Sequence, residues 1–125
     1  MNFKQLFQSF KNAWWGVKYV FKNEQNFRVQ LFIAFLVILA SFVLKISRAE
    51  YILIFLIIIL IIILEFLNSA VEKFIDVLKP RLSFQIKAVK DIMAATVFLA
   101  SLGSLGIGTI IFWPYLLRFL ELYLK

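Results

Sequence analysis

The chain contains no cysteine and no histidine. The first absence excludes disulfides and thiolate metal sites; the second excludes an imidazole base, a serine–histidine dyad and any histidine-ligated metal. Charge is scarce too: 17% of the 125 residues are charged, against 63% hydrophobic. A water-soluble chain this short has no core large enough to hide that much apolar surface, so the bilayer must be the solvent for much of it. The four glycines and two prolines form neither a Walker A sequence nor a glycine-rich kinase loop. Chemistry is left to carboxylates, hydroxyls, amides, lysine and arginine.

The charge that is present is mostly positive, 14 Lys and Arg against 7 Asp and Glu. These cations flank apolar runs, where they meet anionic headgroups and set topology, so no nucleic-acid partner is expected. The expected fold is an all-α membrane protein, one domain with an N-terminal amphipathic surface helix and three transmembrane helices. Over residues 1–28, Phe3, Leu6, Phe7, Phe10, Trp14, Val17 and Phe21 recur at helical spacing, with Lys4, Lys11, Lys18 and Lys22 off that stripe. Such a helix suits the membrane interface. Its dispersed charge and lack of a small-residue cleavage site argue against a signal peptide.

Spans are expected at residues 29–44, 51–78 and 91–113, with a basic loop at 79–90 and a C-terminal tail at 114–125. Pro80 and Pro114 mark the ends of the second and third. In the first turn, Ser47 and Glu50 have the spacing of a capping box. The run Tyr51 to Leu64 would favour a strand in water, but a lone strand in lipid leaves its backbone unpaired. The third span carries Ala94, Ala95, Thr96, Ala100, Ser101, Gly103, Ser104, Gly106 and Gly108. Small residues allow close helix approach, so this span is expected at the centre of a bundle, with the second partly facing lipid. Lysine and arginine counts put the N-terminus and second loop in the cytoplasm and the C-terminus outside.

Glu65, Asn68, Ser69, Glu72 and Asp76 stand at i, i+3, i+4, i+7 and i+11, within an arc of roughly 100° on a helix. Glu65 lies about three turns inside the cytoplasmic end, where an ionisable group is costly and is read by default as functional. Clustered carboxylates repel unless a divalent metal or a basic side chain joins them. Glu24 and Arg28 precede the first span, and Lys90-Asp91 opens the third, so all three helices present charge at one level. Carboxylates in oxygen-only company are typical of Mg²⁺ sites completed by phosphate oxygens. Lys87, Lys90 and Arg28 are candidates to neutralise phosphate, and a desolvated carboxylate is a candidate base toward a lipid hydroxyl. The chemistry points to phosphoryl transfer. Two other classes compete: a structural or regulatory protein whose polar stripe drives oligomerisation, and an ion path, for which Tyr51 to Leu64 offers almost no polar lining.

The run Glu65-Phe66-Leu67-Asn68-Ser69-Ala70-Val71-Glu72, followed by Asp76, resembles the signature of the prokaryotic diacylglycerol kinase family, which includes the undecaprenol kinases. Lys22-Asn23-Glu24-Gln25-Asn26-Phe27-Arg28 resembles the family's acidic element before the first span, and Lys87-Ala88-Val89-Lys90-Asp91 the element opening the third. The resemblance implies an ATP-dependent kinase of a membrane lipid alcohol in a bacterial cell membrane, built as a homotrimer with active sites shared between subunits. It implies Glu65 as general base and Glu24 and Glu72 as ligands of Mg²⁺ carried with ATP. Asn68 would position the reacting groups. Lys90 would contact phosphate, with Arg28 beside it, and Asp76 and Asp91 would support the nucleotide site. Glu65, Ser69 and Trp14 fall on the lipid-substrate side, although Trp14-Trp15 also reads as an interfacial anchor. Spacing from Asp76 to Pro80 looks more like the undecaprenol branch than the diacylglycerol branch. Lys73 departs from the small residue that the diacylglycerol branch tends to have, and Ala95-Thr96 stand where glycine and alanine are common.

Overall fold

The computed structural model describes residues 2–78 and 84–124 as four helices: α1 (Phe3–Asn23), α2 (Gln25–Leu44), α3 (Arg48–Leu78) and α4 (Phe84–Tyr123). Three of them, α2, α3 and α4, are long and apolar enough to cross a membrane. The expected helix over residues 1–28 is instead interrupted at Glu24, whose extended backbone (φ −112°, ψ 106°) separates α1 from α2. Arg28 accounts for the break. Its guanidinium donates to the carbonyls of Phe21 and Lys22, both at 2.9 Å, satisfying acceptors that a helix C-terminus leaves unpaired. At the other end of α1, the Asn2 side chain accepts from the Lys4 amide at 3.0 Å.

The connection between α2 and α3 is determined by local chemistry. Lys45 adopts the left-handed conformation (φ 52°, ψ 55°), and the Ile46 amide reaches back to the Ser41 carbonyl at 3.3 Å. That is a Schellman closure with lysine in the place usually taken by glycine. Ile46 is thereby turned inward against Ile54 and Ile111, forming a small core with Val37, Leu44, Tyr51, Ile58, Phe112 and Tyr115 around it. The expected capping box forms. The Ser47 amide donates to Glu50 at 3.0 Å, and the Glu50 amide donates to the Ser47 hydroxyl at 3.2 Å. The Tyr115 hydroxyl donates to the same Glu50 carboxylate, tying α4 to the start of α3.

Two expectations about the later chain are corrected. α4 begins at Phe84, so residues 84–90 are helical rather than loop, and it runs through Pro114 to Tyr123 without a separate tail. A proline inside a helix costs one hydrogen bond, but the apolar run on either side gains more in lipid by staying helical. Pro80, Lys79 and Arg81 lie outside the described residues. The centre of the protomer also differs from expectation. α3 is the hub, packing on both α2 and α4, and its most apolar window is 17% buried against 6% for α4. α3 carries the bulky residues Ile54 and Ile75 inward and the polar groups that need partners. The small residues of α4 offer little area to bury: a methyl group added at Gly103, Gly106 or Gly108 would meet nothing within 4 Å among the described residues. Several hydroxyls on the spans, those of Ser41, Thr96, Ser104 and Thr109, donate to carbonyls of their own helices; the wholly buried Ser41 reaches the Val37 carbonyl at 2.8 Å.

Candidate functional site

The polar stripe of α3 faces the α1–α2 junction. Helical spacing puts Glu65, Ser69 and Glu72 in one column, and the break at Glu24 brings a second set of polar groups to meet it. Glu65 is 2% exposed and accepts a hydrogen bond from the Gln30 amide nitrogen at 2.8 Å. One turn along, Ser69, 4% exposed, donates to the Glu24 carboxylate at 3.2 Å. Glu24 and Glu72 both stand close enough for their charges to act on Glu65. Phe27, itself buried, packs on Phe66 with ring centroids 5.2 Å apart and closes the apolar side of the seam.

Beside this seam, α1 and α3 enclose a groove of about 700 Å³, lined by Ala13, Trp15, Gly16, Tyr19, Phe66, Ser69 and Lys73 among others. Its walls are almost wholly apolar, and its volume lies in the range of small-molecule sites. Ser69 belongs to both seam and groove, so an amphiphile in the groove can bring a polar end toward Glu65. Trp15 lines the groove; Trp14 is exposed, with the Lys18 ammonium 5.5 Å from its ring.

The remaining site candidates are arranged less tightly. Asn68 and Glu72 are half-buried on α3, and Asp76 is exposed near its end. Arg28 is engaged with the carbonyls ending α1. Lys90 and Asp91 are exposed on α4, where Asp91 pairs with Lys87 at 3.7 Å. Among the described residues no three acidic side chains are gathered closely enough to cage a metal by themselves. The carboxylates of Glu24 and Glu72 nevertheless fit the oxygen-only donor set of Mg²⁺, which commonly takes one or two protein carboxylates and completes its shell with phosphate and water. Gln30 was missed in the sequence. Its signal was available: an amide six residues after Glu24, inside an otherwise apolar span.

Three helices long and apolar enough to span a bilayer mark a membrane protein, and comparison with known proteins gives its class: an integral-membrane lipid kinase. The chain belongs to the prokaryotic diacylglycerol kinase family, whose model matches residues 11–112. It is 34% identical over 113 residues to a diacylglycerol kinase of Synechocystis, covering 90% of this chain and 65% of that protein. To an undecaprenol kinase of Bacillus subtilis it is 33% identical over 112 residues, 90% of this chain and 91% of the relative. To a diacylglycerol kinase of Haemophilus influenzae it is 37% identical over 95 residues, 76% and 80% of the two chains.

Proposed function

We propose that this chain transfers the terminal phosphate of ATP to the primary hydroxyl of a membrane lipid alcohol. The observation that carries the reading is Glu65, a carboxylate 2% exposed and oriented by an amide at 2.8 Å. It stands next to Phe66 and one turn from Ser69, both of which line the groove. The carboxylate oxygen not engaged by Gln30 accepts the proton of the lipid hydroxyl as the lipid oxygen attacks the terminal phosphorus and ADP leaves. Glu24 and Glu72 are the carboxylates that would hold Mg²⁺ accompanying the nucleotide, and the ion would supply positive charge to offset that of the phosphates. Asn68 positions the reacting groups, Lys90 and Arg28 face phosphate oxygens, and Asp76 and Asp91 shape the nucleotide side.

Lys90 and Asp91 are exposed on α4, and most of the apolar surface of the spans is uncovered in one copy. Both features favour a homotrimer in which α4 of one copy faces α3 of the next. α1 lies in the cytoplasmic interface of a bacterial cell membrane, with Phe3, Phe7, Phe10 and Trp14 in lipid and its lysines among headgroups. The N-terminus is then cytoplasmic and the C-terminus external. Undecaprenol suits the groove better than diacylglycerol. The lining is almost wholly apolar and offers few side-chain donors, Ser69 and Lys73 among them, so two ester groups would lose more water than they regain in partners, whereas an isoprenoid chain has no polar group to desolvate.

The test is phosphate transfer from labelled ATP and Mg²⁺ by the purified protein in mixed micelles offering undecaprenol and diacylglycerol side by side. Label in undecaprenyl phosphate, in excess over phosphatidate, is the expected result. Label in neither lipid, with the protein folded, would return the seam to a purely structural role in oligomerisation.

A further inference from the structure

Among the described residues, Lys73 is the one charged side chain lining the groove between α1 and α3. It stands one turn beyond Ser69 and two turns beyond Glu65 on α3, so its Cα is about 12 Å from that of Glu65. Its ammonium lies 5.1 Å from the centroid of the Tyr19 ring, and Tyr19 also lines the groove. A cation on an exposed aromatic face is held by only about 0.5–1 kcal/mol, weaker than a charge-assisted hydrogen bond to a phosphate oxygen. The ammonium is therefore parked rather than locked.

An alcohol headgroup placed at Glu65 offers nothing to a cation two turns away. Once phosphorylated, the same lipid carries negative charge at its head, and Lys73 is the groove-lining cation on the α3 side that can approach it. Glu24, Glu65 and Glu72 repel that charge, whereas Lys73 attracts it. We propose that Lys73 is a recognition residue for the lipid-borne phosphate, leaving the Tyr19 ring to bind the phosphorylated lipid in the groove and setting how long the product stays. The inference rests on the lipid-kinase reading above and gives it a residue that distinguishes product from substrate.

The test is equilibrium binding to the full chain in mixed micelles, read from Trp15 fluorescence in a Trp14→Phe/Trp113→Phe background. The probes are undecaprenol, undecaprenyl phosphate and Mg-ATP. Lys73→Met should weaken undecaprenyl phosphate binding about tenfold, the loss of one hydrogen bond to a charged group, while undecaprenol and Mg-ATP bind within twofold of the parent. Lys73→Arg should restore phosphate binding to within about threefold. Equal losses for undecaprenol and its phosphate would assign Lys73 to packing on Tyr19, a loss confined to Mg-ATP would assign it to the nucleotide, and no loss at all would leave it a solvated cation. Each of these overturns the proposal. A parent protein that binds neither lipid sinks the groove and the lipid-kinase reading together, an outcome distinct from failure of Lys73 alone.

Discussion

Removing the Gln30 amide should separate activity from stability. In Gln30→Leu, Glu65 loses the hydrogen bond it accepts at 2.8 Å while remaining in a site where it is 2% exposed. A hydrogen bond to a charged group contributes about 1.5–3 kcal/mol. If that bond holds Glu65 toward the lipid hydroxyl, its loss lowers turnover by roughly 10- to 150-fold. Stability responds differently, because the Gln30 carbonyl oxygen is itself buried with no hydrogen-bond partner among the described residues. Leucine removes that unsatisfied acceptor, returning about 1–3 kcal/mol, which offsets the lost bond. The expected outcome is a 10- to 150-fold fall in kcat, KM for Mg-ATP within twofold, and a thermal midpoint in detergent no lower than the parent's. A kcat within threefold of the parent would refute the positioning role. A fall in midpoint of many degrees would mean that Gln30 is a structural tie between α2 and α3.

Four further outcomes follow from the same geometry. Glu65→Gln should abolish turnover with nucleotide binding intact, and Glu72→Gln should raise the dissociation constant of Mg-ATP; calorimetric titration of both variants checks the division of labour, which fails if Glu65→Gln loses ATP or Glu72→Gln keeps its full affinity. Lys45→Gly should raise the thermal midpoint by an amount equivalent to about 1 kcal/mol, because a non-glycine residue at φ 52° bears a left-handed penalty of about 1–2 kcal/mol, part of which glycine's greater unfolded freedom returns. Tyr115→Phe removes the hydroxyl that ties α4 to Glu50 and should lower the thermal midpoint slightly with kcat unchanged, since this contact lies some four turns along α3 from Glu65.

What could be read before the structure was what one helix determines for itself. The stripe from Glu65 to Asp76 and the Ser47–Glu50 box depend on helical periodicity and on contacts three residues apart, and both the column and the box are found in the fold. The differences arise where the surrounding solvent or a side chain beyond one helical turn decides. A proline ends a helix readily in water, where solvent replaces its missing hydrogen bond; in lipid no such replacement exists, and α4 continues through Pro114 to Tyr123. Glu24 was read within a continuous helix, but the Arg28 guanidinium, folding back onto Phe21 and Lys22, ends α1 and leaves Glu24 extended, free to meet Ser69. Periodicity tells which face a residue occupies and says nothing of what that face meets. Gln30 illustrates the limit: its position in an apolar run marked it as unusual, yet its role depends on Glu65, 35 residues later in the chain. The same argument applies to Lys90 and Asp91. Their spacing is legible, but within one copy Asp91 pairs with Lys87 and not with the seam. In the trimer proposed above, the face they meet is a second copy of α3. The expected outcome is that cysteines introduced at Asp91 and Asp76 yield cross-linked dimers and trimers on non-reducing electrophoresis, whereas a wholly monomeric product would refute that arrangement.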